Sequence, residues 1–158
     1  EKLKKKRPSI KFSSDFIIGY PGENEDDFNS TISLMKNIEF INSYSYVFSP
    51  RPGTPASNLD TIDTEITKKR LKAFQEISEK IKKNYRSKLI GKQSEVLFEN
   101  KLNGQEKYFG RDKYGDSVIV ESKINLTGKT LNVKINDFNQ NTLFAEIIFS
   151  NKKREAAA

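Results

Sequence analysis

The sequence predicts an α/β segment followed by an all-β segment, with the boundary near residue 91. Three observations support this fold class. Residues 12–48 follow the order strand, helix, strand, which is the βαβ unit of a parallel sheet. Residues 63–90 have the apolar spacing of a long helix. After Gly91, five short β-type runs alternate with turn residues, which is typical of a small OB-like barrel.

The first segment contains two predicted helices and two predicted strands. Residues 1–9 are basic and indicate the end of a helix that stops near Pro8. Residues 12–18 are apolar and β-branched without alternation, which predicts a strand buried on both faces. Residues 23–40 predict a helix, because acidic residues crowd the first turn and apolar residues recur at near-helical spacing. Residues 43–48 predict the second strand.

Both predicted strands end in a loop rich in glycine and proline. The first loop begins at Gly19 (GYPG), and the second contains Arg51 (SPRPGTP). A right-handed crossover brings both loops to one edge of the sheet, where α/β proteins bind ligands. Glycine lets a ligand approach the backbone closely, and the prolines pre-order the loop that carries Arg51. The alternatives are an ordinary tight turn at Gly19 and a surface ion pair for Arg51.

The long helix predicted over residues 63–90 carries most of the net positive charge. Asp63 or Thr64 is its predicted N-cap. The chain has a formal net charge of +7, and residues 61–92 carry 10 Lys and Arg against 4 Asp and Glu. Such a segment attracts polyanions, although a solvated helix face is the simpler explanation.

The second segment is predicted to hold five short strands within residues 92–150, followed by a charged, alanine-rich tail at 151–158. Asn103-Gly104 and similar dipeptides supply the turns between them. The predicted strands are residues 94–98, 107–111, 117–121, 131–135 and 143–149.

Basic and aromatic residues are interleaved in this segment, which suggests RNA binding. Lysine and arginine neutralise phosphates, and exposed rings stack on unpaired bases. Because side chains alternate along a strand, about half of the rings face the core, and we assign Phe109 rather than Tyr108 to it. The predicted RNA contacts are Lys107, Tyr108, Arg111, Lys113 and Tyr114. The other predicted core rings are Phe98, Phe138, Phe144 and Phe149.

The chain contains no cysteine and no histidine. Thiolate and imidazole metal sites and cysteine nucleophiles are therefore excluded within it. We predict no catalytic residue and no metal ligand in this segment. No apolar run approaches the ~20 residues of a membrane span, so we expect a cytoplasmic protein without a membrane partner.

Two motifs, SSDFIIGYPGE at residues 13–23 and YVFSPRPGTPA at 46–56, resemble those of the radical S-adenosylmethionine methylthiotransferases that act on tRNA. Residues 69–71 (KRL), 96–99 (VLFE) and 110–111 (GR) support a resemblance that extends over essentially the whole chain. The resemblance implies three consecutive parts. These are the C-terminal strands and helices of a partial (β/α)6, TIM-like radical-SAM barrel at residues 1–62, a connecting helix at 63–91, and an RNA-binding TRAM domain at 92–150.

The resemblance further implies an enzyme that methylthiolates C2 of isopentenyl-adenosine beside the tRNA anticodon. Its cofactors would be S-adenosylmethionine and two 4Fe–4S clusters. The cluster cysteines lie outside this chain, so the segment alone is expected to be inactive. Its partners would be the tRNA anticodon stem-loop and the N-terminal portion of the same protein, and the complete enzyme would be a monomer.

Within this resemblance, the segment would supply tRNA binding and part of the cofactor pocket wall. Arg51 would reach the tRNA or the methionine carboxylate of the cofactor. The residues implied to line the cofactor pocket are Ile17, Gly19, Glu23, Val47 and Phe48. Two alternatives remain: a free-standing TRAM-type RNA-binding module without catalytic activity, and a methylthiotransferase specific for threonylcarbamoyladenosine.

Overall fold

The computed structural model describes residues 2–148, and the chain divides into two compact units, Glu1–Tyr85 and Arg86–Ala158. None of the helices within residues 2–148 is long and apolar enough to cross a membrane. The elements of the first unit are α1 (Lys2–Lys6), β1 (Ser13–Ile18), α2 (Glu25–Ile38), β2 (Asn42–Val47), a 3-10 turn (Pro55–Asn58) and α3 (Thr64–Ser87), whose last residues enter the second unit. The strands of the second unit are β3 (Gln93–Lys101), β4 (Lys107–Asp112), β5 (Ser117–Glu121), β6 (Thr130–Phe138) and β7 (Thr142–Ile147).

The first unit contains the predicted βαβ unit. β1 and β2 pair in parallel from Ser13 opposite Asn42 to Ile18 opposite Val47, and α2 connects them. Asn24 begins α2 with a capping box: its side chain accepts the backbone N–H of Asp27, whose carboxylate accepts the N–H of Asn24. These elements agree with the sequence predictions to within about two residues at each end.

The helices of the first unit cover only one face of its sheet. Residues of α2 and α3 pack with Phe16 and Ile18 of β1, and Phe74 from α3 is fully buried among them. The expectation that β1 is buried on both faces is wrong. Ile17 is 57% exposed and lies opposite Tyr46 of β2, which is equally exposed. The apolar run predicts two-sided burial, whereas its side chains alternate between the helix-covered face and an open one.

The second unit is a closed five-stranded barrel with the strand order β3-β4-β5-β7-β6, closed by pairing of β3 with β6. Four strand pairs are antiparallel, and β5 pairs with β7 in parallel. This is the order of an OB-type barrel, so the predicted small OB-like barrel is confirmed. Its fully buried side chains include Val96, Phe98, Val118, Val133 and Leu143.

The assignment of aromatic rings to the barrel core is correct in part. Phe98 is buried and Phe138 packs against the core, as predicted. The choice of Phe109 over Tyr108 is wrong, because Tyr108 is only 3% exposed and Phe109 faces outward. The assignment of Phe144 to the core is also wrong. Its neighbours along β7 pack on the core, so strand alternation points the ring of Phe144 outward. Phe149 lies outside the described residues.

A buried ion pair inside the second unit was not predicted. Nη2 of Arg86 lies 2.8 Å from Oδ1 of Asp116, and both side chains are almost fully buried. Nη1 of Arg86 also donates to the carbonyl oxygens of Asn139 (3.1 Å) and Gln140 (2.6 Å) in the turn between β6 and β7. Arg86 therefore fixes this turn and the end of the β4–β5 connection.

Asp112 lies beside this pair. Burial raises the pKa of the Asp112 carboxyl above its ordinary value, although the backbone N–H groups of Tyr114 and Asp116 donate to it and oppose the shift. The carboxylate thus organises the tight β4–β5 turn from inside.

Candidate functional site

The first candidate site is the loop of residues 19–23 that follows β1, called here the Gly19 loop. The backbone N–H of Gly19 donates to Oε2 of Glu23 over 3.1 Å. The other carboxylate oxygen of Glu23, Oε1, accepts from Nη1 of Arg70 over 2.8 Å. Both oxygens of Glu23 are thus engaged inside the first unit. The geometry gives Glu23 a role in holding the loop, and the cofactor contact implied by the resemblance stays a prediction.

Gly19 is required by packing as well as by its backbone conformation. Its φ is +76°, a region that non-glycine residues rarely adopt. A β-carbon at this position would lie 2.5 Å from Cγ2 and 2.8 Å from Oγ1 of Thr67 in α3. The sequence suggested a tight turn or the approach of a ligand. It gave no sign that a helix 48 positions later fills the space beside the glycine.

A cavity of about 340 Å³ opens where the two parallel strands end. Its lining includes Gly19, Val47, Phe48, Thr67 and Lys68. Three of the residues implied to line a cofactor pocket are therefore brought together. Their arrangement, at the carboxyl ends of parallel strands, is the usual position of ligands in α/β proteins.

Ile17 and Arg51 are not part of this cavity lining, and the backbone N–H of Phe48 is already used in sheet pairing. Ile17 lies on the open face of the sheet. The backbone N–H of Phe48 donates to the carbonyl of Ile18, so sheet pairing uses it, while its ring contacts that of Tyr20 edge-on at 5.1 Å. Arg51 is exposed in a loop that folds on itself, because the N–H and hydroxyl of Thr54 both donate to its carbonyl.

The second candidate site is the outer surface of the barrel on β4, β5 and β7. Strand register places Phe109 of β4 opposite Ile119 of β5, and Ile119 opposite Phe144 of β7. These three half-buried residues form a row across three strands, called here the apolar row. Lys107 and Arg111 flank Phe109 at alternate positions of β4 and share its outward face.

The cations around the apolar row retain solvent-exposed charge. The guanidinium of Arg111 lies 5.3 Å from the ring centroid of Phe109 and 3.3 Å from a carboxylate oxygen of Glu99. Lys107 is 3.5 Å from Glu121. Such exposed pairs contribute little free energy, so both cations can exchange a carboxylate for a phosphate. A groove of about 860 Å³ continues from the row, with Ile119 and Phe144 in its wall and Lys107 and Lys123 at its side.

The structure places four of the five predicted RNA contacts of the barrel at its surface. Lys107 and Arg111 lie on the outer face of β4, while Lys113 and Tyr114 lie in the β4–β5 turn with the ammonium 5.1 Å from the ring centroid. The ring of Tyr108 is buried and so is not available to stack on a base, whereas the ring of Phe109 faces outward. The sequence signal that could have revealed this is Gly110, whose missing side chain marks a close approach of two backbones and thus the inward face.

A metal site in the described part of the chain would need side chains grouped closely enough to bind one ion. Residues 2–148 contain no group of three or more His, Cys, Asp or Glu side chains that could hold a metal ion. Iron–sulfur clusters are held chiefly by thiolates. Because the chain has no cysteine, its residues do not fit the clusters implied by the resemblance.

Comparison with known proteins identifies the barrel first. The TRAM domain family matches residues 87–148, which include all five barrel strands. The second unit is therefore a TRAM domain.

The whole chain is similar to proteins named tRNA-2-methylthio-N(6)-dimethylallyladenosine synthase. The one from Pelagibacter ubique (strain HTCC1062) is 49% identical over 158 residues, which are 99% of this chain and 35% of that protein. The one from Ruthia magnifica is 38% identical over 148 residues, covering 93% of this chain and 33% of that protein. The one from Vibrio vulnificus (strain CMCP6) is 40% identical over 154 residues, covering 96% of this chain and 32% of that protein. The resemblance seen in the sequence is confirmed, and the chain spans 32–35% of the length of these relatives.

Proposed function

We propose that this chain is the C-terminal segment of an enzyme that methylthiolates C2 of isopentenyl-adenosine beside the tRNA anticodon. The observation that carries the proposal is the similarity over 99% of the chain to a synthase whose name specifies a 2-methylthio, N(6)-dimethylallyl product. That name favours the isopentenyl substrate over threonylcarbamoyladenosine. The TRAM domain favours a nucleic acid as the molecule that the segment helps to bind.

The first unit is proposed to complete a radical-SAM barrel. Its sheet has one face covered by helices and one face that exposes Ile17, Tyr44 and Tyr46. An exposed apolar sheet face of this kind suits the interior wall of a (β/α) barrel whose other strands come from the N-terminal portion of the protein. S-adenosylmethionine would lie against this wall, near the cavity at Gly19, Val47 and Phe48, and would supply the radical chemistry. The thiolates for two 4Fe–4S clusters would come from the N-terminal portion.

The second unit is proposed to dock the tRNA on the apolar row. OB-type barrels bind oligonucleotides on the face of their second and third strands, which here are β4 and β5. Phe109 offers a ring to an unpaired base of the anticodon loop, and Lys107 and Arg111 offer charges to its phosphates. Lys113, Tyr114 and Arg51 remain further proposed contacts.

Phe109→Ala in this chain is expected to weaken binding of an anticodon stem-loop roughly 5- to 150-fold, because base stacking on an aromatic ring contributes ~1–3 kcal/mol. Fluorescence anisotropy titrations of the labelled RNA at several salt concentrations measure the effect.

Arg111→Gln is expected to remove about one phosphate contact. The slope of log K against log salt should therefore become less steep by the amount that one phosphate contributes.

Tyr44→Ala is the matched control, since Tyr44 is an exposed aromatic residue of the first unit. Its affinity for the stem-loop is expected to equal that of the unsubstituted chain. Equal affinities of Phe109→Ala and Tyr44→Ala, or binding no tighter than to an unrelated protein of charge +7, would refute the proposed docking surface.

A further inference from the structure

Two side chains of α3, Thr67 and Arg70, hold the Gly19 loop from the same helix face. We propose that both are positioning residues, which set the place of the Gly19 loop in the cofactor wall and so determine the affinity for S-adenosylmethionine. This inference rests on the proposed function and assigns α3 a part in it.

Arg70 is the first point of attachment. The side chain is buried, and Nη1 donates both to Oε1 of Glu23 (2.8 Å) and to the backbone carbonyl of Glu23 (3.0 Å). Nη2 reaches Glu25 in the first turn of α2 at 3.2 Å. The guanidinium also lies 5.5 Å from the ring centroid of Phe28. The guanidinium of Arg70 thus joins α3 to the end of the Gly19 loop and to the start of α2.

Thr67 is the second point of attachment. Its hydroxyl donates to the carbonyl of Asp63 over 3.0 Å, which fixes the rotamer and turns the methyl group toward Gly19. Thr67 is 3% exposed and three positions before Arg70, so both side chains leave the same face of α3. Thr67 therefore packs beside Gly19 at the start of the loop, and the ion pair of Arg70 with Glu23 holds its end.

The functional consequence follows from the position of the cavity. Gly19 and Thr67 both belong to its lining, beside Val47 and Phe48. Arg70 holds the carboxylate of Glu23, and this carboxylate accepts the hydrogen bond from Gly19. The position of Gly19 in the cavity wall therefore depends on Arg70. A displaced loop would change the fit of a bound nucleoside without touching the reacting atoms, so the effect should fall on binding rather than on chemistry.

Arg70→Lys in the complete protein tests the role of the fork. Lysine keeps the charge, but its single ammonium cannot reproduce the planar, multiple donation of the guanidinium. KM for S-adenosylmethionine is expected to rise ~10-fold while kcat stays within about threefold, the pattern of lost binding. Thr67→Ser, which keeps the bond to Asp63 and removes the methyl group, should raise KM by a smaller factor. Lys69→Gln, an exposed cation of the same helix, should leave both constants unchanged.

Hydrogen exchange of the present chain gives a readout that does not need the enzyme. The backbone N–H groups of residues 19, 20 and 22–24 are expected to exchange about tenfold faster in Arg70→Lys, with the barrel amides unchanged. Unchanged KM and unchanged exchange would overturn the positioning role, and so would faster exchange with an unchanged KM. A wild-type complete protein that binds no S-adenosylmethionine would overturn the proposed function itself, and the positioning role with it.

Discussion

Arg86→Met is expected to destabilise the barrel unit by about 3–5 kcal/mol, because it removes one partner of a buried ion pair. Asp116, whose side chain is 1% exposed, would be left as an uncompensated buried charge. The carbonyls of Asn139 and Gln140 would lose their guanidinium donor at the same time. Methionine is unbranched and apolar, so packing loss contributes little to the expected effect.

Urea unfolding followed by circular dichroism and by hydrogen exchange of the barrel amides measures this loss. Arg111→Met is the matched control, because Arg111 is an exposed arginine of the same barrel, and it should cost less than about 1 kcal/mol. The double variant Arg86→Met with Asp116→Asn should recover part of the loss, since no buried charge remains. A loss for Arg86→Met no larger than that of the control would contradict the account of this ion pair.

Gly110→Ala is the second substitution with a large expected effect, a loss of about 3 kcal/mol from the barrel. The added β-carbon would lie 2.5 Å from the carbonyl oxygen of Leu97 and 2.7 Å from Cγ1 of Val96. Gly110 is directly opposite Phe98 in the β3–β4 pair. The backbone oxygen cannot move away unless β3 and β4 separate, so the clash is not relieved by a change of rotamer.

Gly128→Ala separates this effect from the general cost of replacing glycine. Gly128 has a φ of +76°, and nothing lies within 4 Å of the position of its β-carbon. Gly128→Ala should therefore lower the free energy of unfolding by only the ~1–2 kcal/mol that a non-glycine residue loses in the left-handed conformation. Thermal unfolding of the two variants gives the comparison. A Gly110→Ala variant as stable as Gly128→Ala would show that β3 and β4 do not approach as described.

Much of the fold could be predicted because its signals are local. Acidic residues and Asn24 mark the start of α2, Asp63 caps α3 as expected, and the turn glycines separate five strands that do form a barrel. Alternation did not identify the inward face of β4, for which Gly110 is the one local signal. The β3–β4 register shifts between Phe98 and Asn100, and alternation alone does not say which half of a strand faces the core.

The pairings of Arg70 and Arg86 could not be predicted, for a different reason. Both arginines stand among the lysines of one basic helix, where the simplest interpretation is a solvated surface. Their partners Glu23 and Asp116 are 47 and 30 positions away in the chain. Only the folded units bring these charges together, so no spacing rule reveals them. The same distance hides the contact of Thr67 with Gly19.

The most direct test of the account is the nucleoside content of tRNA in cells that lack the gene encoding this segment. Mass spectrometry is expected to show loss of 2-methylthio-isopentenyladenosine and accumulation of isopentenyladenosine, with recovery when the complete gene is returned. An unchanged level of the methylthiolated nucleoside, or a loss confined to the threonylcarbamoyl derivative, would contradict the proposed function.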